Sequence, residues 1–102
     1  MNINRWTDAD GPLTEAALRR KLEGLGYAVN RYLYPPGSVF DSHSHAVDKI
    51  DAVLSGQFRV TMGGESVVLR AGEWVYVPKN IEHAAEVVGD EPVLSLDGVR
   101  RK

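Results

Sequence analysis

Cysteine is absent from this 102-residue chain, which excludes disulfides and thiolate chemistry. No apolar run approaches the roughly 20 residues that a membrane-crossing helix needs. The opening stretch MNINRWTDAD lacks the apolar segment of a secretory signal. The expectation is therefore a cytoplasmic protein with no membrane partner. Charge of one sign is also missing: 12 Lys and Arg stand against 14 Asp and Glu, a net charge of −2. No electrostatic case for a nucleic-acid partner exists. The chain shows no Ser-His-Asp arrangement, no phosphate-cradling glycine loop and no pair of catalytic carboxylates. Gly63-Gly64 reads as a hairpin turn. Histidine is scarce, with three in all.

What is present describes one domain. The length fits a single core that buries roughly 60–70 % of the unfolded surface, and 43 % hydrophobic with 25 % charged residues is ordinary for a globular chain. Residues 1–12 are polar and close on a turn signal. LTEAALRRKLEGLG reads as the only helix: Thr14 caps it, Glu15 suits the positive end of its dipole, and Leu18, Leu22 and Leu25 form one apolar stripe. Gly24 or Gly26 ends it. Arg19, Arg20 and Lys21 read as a solvated helix face. From Tyr27 the pattern turns to β. YAVNRYLY, SVFDSHSH, KIDAVLSG, QFRVTMGG, ESVVLRAG, EWVYVP, AAEVVGDE and PVLSLDGV are about eight short strands. Pro35, Pro36, Pro78 and Pro92 fall at their ends, and glycines punctuate them. The division expected is an N-terminal arm and helix over residues 1–26 and one all-β barrel or sandwich over residues 27–102.

His43 and His45 lie two apart, on one face of a predicted strand. His83 precedes another strand some forty residues later. Three neutral imidazoles with an open position suit Zn²⁺, Fe²⁺, Ni²⁺, Co²⁺ or Cu²⁺. On composition alone, three scattered histidines fit surface or singly hydrogen-bonded core residues better, because an isolated HxH is a weak motif.

The spacing changes that balance. Gly37, five residues, His43-Ser44-His45, three residues, Lys49, six residues and Gly56 resemble the first signature of the cupin family. Gly72, five residues, Pro78 and then His83 resemble its second. The resemblance runs from Tyr34 to Leu96. It implies a double-stranded β-helix, the RmlC-like jelly roll, with His43, His45 and His83 directed into the barrel around one divalent transition-metal ion (Zn, Fe, Ni, Co or Mn). Three positions depart from the pattern. Lys49 stands where the family places a metal-binding glutamate. Asn80 replaces a glycine, and Asn tolerates φ > 0 better than most residues. Val87 replaces a terminal Asn and touches no ligand position.

Lys49 admits several readings. As a neutral ligand it would first lose a proton, at a cost of roughly 4–5 kcal/mol at pH 7. Protonated, it would hold an anionic ligand or the carboxylate of Asp48 or Asp51. Alternation of Ile50, Ala52 and Leu54 against Lys49, Asp51 and Val53 points Lys49 outward; the resemblance points it inward. Asp48 is a candidate to replace the missing carboxylate. Tyr34, Trp74, Tyr76, Gln57 and Arg59 are candidate cavity residues, and core or surface roles suit them as well. The function expected is a metal-binding protein acting on a small molecule, anionic ones among the candidates, as an oxygenase, isomerase or lyase. The alternative is a binding or sensing module without turnover. The exposed edges of a small jelly roll call for cover, so a homodimer through YAVNRYLY is expected.

Overall fold

The computed structural model describes residues 1–102. Nine strands form two antiparallel sheets with one helix: β1 (Asn4–Arg5), α1 (Glu15–Gly24), β2 (Tyr27–Tyr34), β3 (Val39–His43), β4 (Lys49–Ser55), β5 (Gln57–Met62), β6 (Glu65–Leu69), β7 (Glu73–Val77), β8 (His83–Val88) and β9 (Val93–Arg100). The first sheet has the order β1-β7-β4-β9-β2 and the second β3-β8-β5-β6. This is a small jelly roll, as the strand spacing predicts. No helix is long and apolar enough to cross a membrane.

The helix forms where its signals stand. Thr14 Oγ1 accepts from Ala17 N at 3.1 Å. Leu18 and Leu22 are wholly buried, whereas Leu25 is past the last helical residue and 37 % exposed, so the stripe is one residue shorter than its spacing suggests. Gly26 takes φ 102°, a conformation that side-chain-bearing residues resist, and turns the chain into β2. The basic triplet is not simply solvated. Arg19 donates to the Val29 carbonyl at 2.7 Å. Lys21 pairs with Asp10 at 2.8 Å and lies over the rings of Trp6 and Trp74. The arm also carries structure that its polar sequence hides, a 3₁₀ turn at Asp8–Asp10 and the two-residue strand β1 paired to β7.

Both faces of the first sheet are covered over its central strands, whereas the outer strand β2 is largely exposed. Ile50, Ala52, Trp74, Tyr27 and Leu96 pack under Leu18 and Leu22. Val53, Val75, Val77 and Val93 point the other way, into the barrel, where they meet Phe58, Val60, Leu69 and Val87 of the second sheet. β4 therefore buries both of its alternating sets, and Lys49 and Asp51 share the barrel face with Val53. The outward reading of Lys49 fails for this reason: the helix claims the apolar set that simple alternation assigns to the barrel. Tyr76 lies on the helix face of β7, 42 % exposed and beside the Tyr27 ring, and is not a cavity residue. Trp74 belongs to the core beneath the helix. Arg59 pairs with Glu86, and Gln57 is exposed at the start of β5.

Candidate metal centre

The register of β3 on β8 makes His43 and His83 direct cross-strand partners. Their imidazoles lie 4.3 Å apart between centroids. His45 is not on that strand. β3 ends at His43, and His45 sits two residues into the following loop. It still faces the other two rings, at 4.8 Å from His43 and 5.2 Å from His83.

The segment between β7 and β8 holds the His45 loop in place. Asn80 N donates to the His45 carbonyl at 2.7 Å. Lys79 N donates to Asp48 Oδ1 at 2.8 Å, and Ser42 Oγ donates to Glu82 Oε2 at 2.6 Å. Asn80 has φ 64°, the left-handed turn expected at that position. Asp48 is thus an exposed loop clamp and not a replacement carboxylate at the histidines.

The donor set suits a metal ion. One ring nitrogen from each histidine lies within 4.8 Å of the others. His43 Nδ1 donates to the Asp41 carbonyl at 2.6 Å and His83 Nδ1 to the Ile81 carbonyl at 3.0 Å. A carbonyl accepts only, so both Nδ1 atoms carry the proton and both Nε2 lone pairs remain free. Such second hydrogen bonds orient metal-binding imidazoles. Burial, and then the Lys49 charge, hold the His45 imidazole below its usual pKa and favour the neutral, ligating form. Metal–nitrogen bonds of about 2.0–2.1 Å would draw the three nitrogens closer together.

The histidines open onto a cavity of about 60 Å³, walled by Tyr34, Phe40, Phe58 and Ala85 and floored by Lys49, Asp51 and Asp97. Lys49 does face inward. Its Nζ donates to Asp97 Oδ2 at 3.0 Å, and both side chains are 16 % exposed. Asp51 is the cross-strand partner of Asp97 on β9. Burial, then repulsion from Asp97, push the Asp51 carboxyl up to about 7. Burial and the same two carboxylates push the Tyr34 hydroxyl well above its ordinary range, so it stays protonated. Asp97 is the charged cavity residue missing from the sequence reading, as are the apolar walls Phe40, Phe58 and Ala85. A signal existed: in VLSLDG, Asp97 continues the face of Val93 and Ser95, opposite Leu94 and Leu96.

Residues 30–98 match the profile of the family described as Cupin domain, more than half of the chain. Nitrosourea synthase of Streptomyces achromogenes subsp. streptozoticus is 29 % identical across 92 % of this chain, but the match spans only 21 % of that protein. A cupin protein from Bacteroides fragilis superposes with TM-score 0.65 at 27 % identity, covering 82 % of this chain and 73 % of that one. DMSP lyase DddQ from Ruegeria pomeroyi superposes with TM-score 0.67 at 26 % identity, covering 76 % of this chain and 39 % of that one.

Proposed function

The chain belongs to the cupin family, and on that premise we propose that it holds one divalent transition-metal ion on His43, His45 and His83 and uses it on a small molecule as an oxygenase, isomerase or lyase. The observation that carries this reading is the convergence of three imidazoles, two with Nδ1 committed to backbone carbonyls so that Nε2 is free. A metal bound there would act as a Lewis acid on a ligand oxygen or nitrogen. The chain's own residues would do the rest. Phe40, Phe58 and Tyr34 exclude water from one wall, their rings in mutual contact at 4.7–6.0 Å. Asp51, whose pKa of about 7 leaves it able to give or take a proton near neutrality, is the group best placed for acid–base work. The small cavity favours a ligand of few non-hydrogen atoms, or one that extends out of the mouth. Among the three reaction classes, the likeness to a DMSP lyase favours a lyase.

Binding or sensing without turnover is the second reading. Lys49 favours it, because the position that supplies a carboxylate ligand in the family carries a cation already engaged by Asp97.

Elemental analysis of untagged protein, beside His45→Ala, tests the metal site. About one equivalent of a transition metal in the wild type, lost in the variant, is expected. No metal in either protein after reconstitution would overturn it. Oxygen uptake by an iron form, or product formation from small carboxylates and alcohols, would then separate catalysis from binding.

A further inference from the structure

The polar groups of the cavity floor are not equally satisfied. Lys49 is taken by Asp97. The Asp51 carboxyl and the Tyr34 hydroxyl have no hydrogen-bond partner in the chain, and both line the cavity. Asp51 is half-buried and faces the cavity, so its carboxyl oxygens are left to accept from whatever enters there. Its cross-strand neighbour is a second carboxylate, Asp97, and like charges directly opposed on a sheet repel. One lysine against two carboxyls leaves the floor short of one cation or donor. No arginine lines the cavity, and the other walls are the Tyr34, Phe40, Phe58 and Ala85 side chains and the histidines. An anionic ligand end would therefore meet Asp51 with only Lys49, already paired to Asp97, to offset it.

We propose that Asp51, with Tyr34 beside it, is the second recognition point of this cavity, selecting a small ligand that presents a neutral or cationic N–H or O–H donor to Asp51 while another of its atoms is held at the three histidines. The inference rests on the metal reading above and narrows it: the substrate class is an amine, amidine, amide or alcohol at that end, not a carboxylate. Tyr34 fits the role, since packing against Phe40 and Phe58 fixes its ring and its hydroxyl remains a donor. Burial and the neighbouring Asp97 raise the Asp51 pKa to about 7, so at pH 8 its carboxylate is largely ionised and accepts from such a donor.

The test uses Co²⁺-loaded protein at pH 8, followed by visible absorption as small ligands bind the metal. Imidazole and 1-methylimidazole share a metal-binding nitrogen, and only imidazole retains a distal N–H. The wild type is expected to prefer imidazole by about tenfold, the worth of one hydrogen bond to a charged acceptor. In Asp51→Leu, of similar volume, the preference should collapse to near unity, whereas a purely steric preference would persist. Azide, a small anion, should bind Asp51→Asn several-fold more tightly than wild type, and this arm decides the matter if the leucine variant does not fold. Equal affinity of the wild type for the two imidazoles, or azide affinity unchanged in Asp51→Asn, would overturn the inference while Co²⁺ binding kept the three-histidine reading intact. Failure of the wild type to take up Co²⁺ would remove both.

Discussion

Lys49 and Asp51 are neighbours on one face of β4, and opposite substitutions at them should separate metal affinity from stability. Lys49→Glu removes an ammonium that repels the ion and adds the carboxylate found there in the family. Metal affinity is expected to rise at least tenfold, measured by competition with a chromogenic chelator. The same change strips Asp97 of its partner and adds a third carboxyl to the floor, so the metal-free protein should lose about 3 kcal/mol, since breaking a buried pair leaves its other member uncompensated. Metal binding no better than wild type would show that position 49 does not face the ion. Asp51→Asn works through pH. The folded-state pKa of about 7 lies above the reference value of 3.8, so between those values the folded protein holds a proton that the unfolded chain has released. Stability from this group therefore falls as pH rises from about 4 to about 7. Asparagine has no such proton. The metal-free variant should be more stable than wild type at pH 8, by about 2–4 kcal/mol at most, and equal to it near pH 4. Denaturant midpoints across that range, in chelator, would check it. A constant difference would mean that Asp51 is ionised throughout.

At the level of elements, the loops at the barrel mouth matter more than the strands they join. His45 lies off β3, and its place depends on Asn80 N, on Asp48 accepting from Lys79 N, and on the Ser42–Glu82 bond. Asp48→Ala is expected to weaken metal binding by roughly 10–100-fold, the usual effect of removing a residue that orients a ligand, with little loss in thermal stability because the clamp is exposed. Unchanged metal affinity would show that the loop holds its shape without it. The strands themselves were legible because glycine and proline mark their ends and β-branched residues fill them. β1 was not, since two residues have no period. Lys49 was ambiguous for a related reason. Alternation tells which residues share a face, but not which face is the barrel, and in β4 the helix covers the apolar set. Asp97 is hard to read from sequence because it is the one acidic residue of β9 and its partner lies 48 positions earlier in the chain. The histidine positions were readable in spacing, whereas the ion pair beneath them needed the register of β4 on β9. Gly98 shows the same dependence on packing. A Cβ there would lie 2.5 Å from Ile50 Cγ2 and 2.9 Å from Tyr27 Cβ, so Gly98→Ala should cost about 1–3 kcal/mol by overpacking the layer beneath the helix.

For the whole molecule, the surface feature with a consequence for assembly is the free edge of the five-stranded sheet. β2 pairs with β9 along all eight residues, Tyr27↔Arg100 to Tyr34↔Val93, and its other edge has no strand. Tyr32 and Leu33 are exposed there at 44 % and 57 %, with Val39 at 66 % just beyond the turn. Long apolar edges of this kind invite strand pairing. Two copies joined antiparallel about a two-fold axis would place each residue opposite one of the same strand. A centre at Arg31 would oppose like charges, whereas a centre at Tyr32 sets Tyr32 against its own copy and Arg31 against Leu33, which the exposed tyrosine favours. A dimer of two 11.2 kDa chains is therefore expected at tens of micromolar, measured by light scattering on a sizing column. Leu33→Lys, which puts a charge on the edge, should shift it to the monomer without unfolding the barrel, since Leu33 lies outside both hydrophobic clusters. A monomeric wild type at those concentrations would show that the edge is protected by its own twist and by Arg31, whose Nε reaches Glu15 at 3.1 Å. A dimer that persists in Leu33→Lys would move the interface to another face.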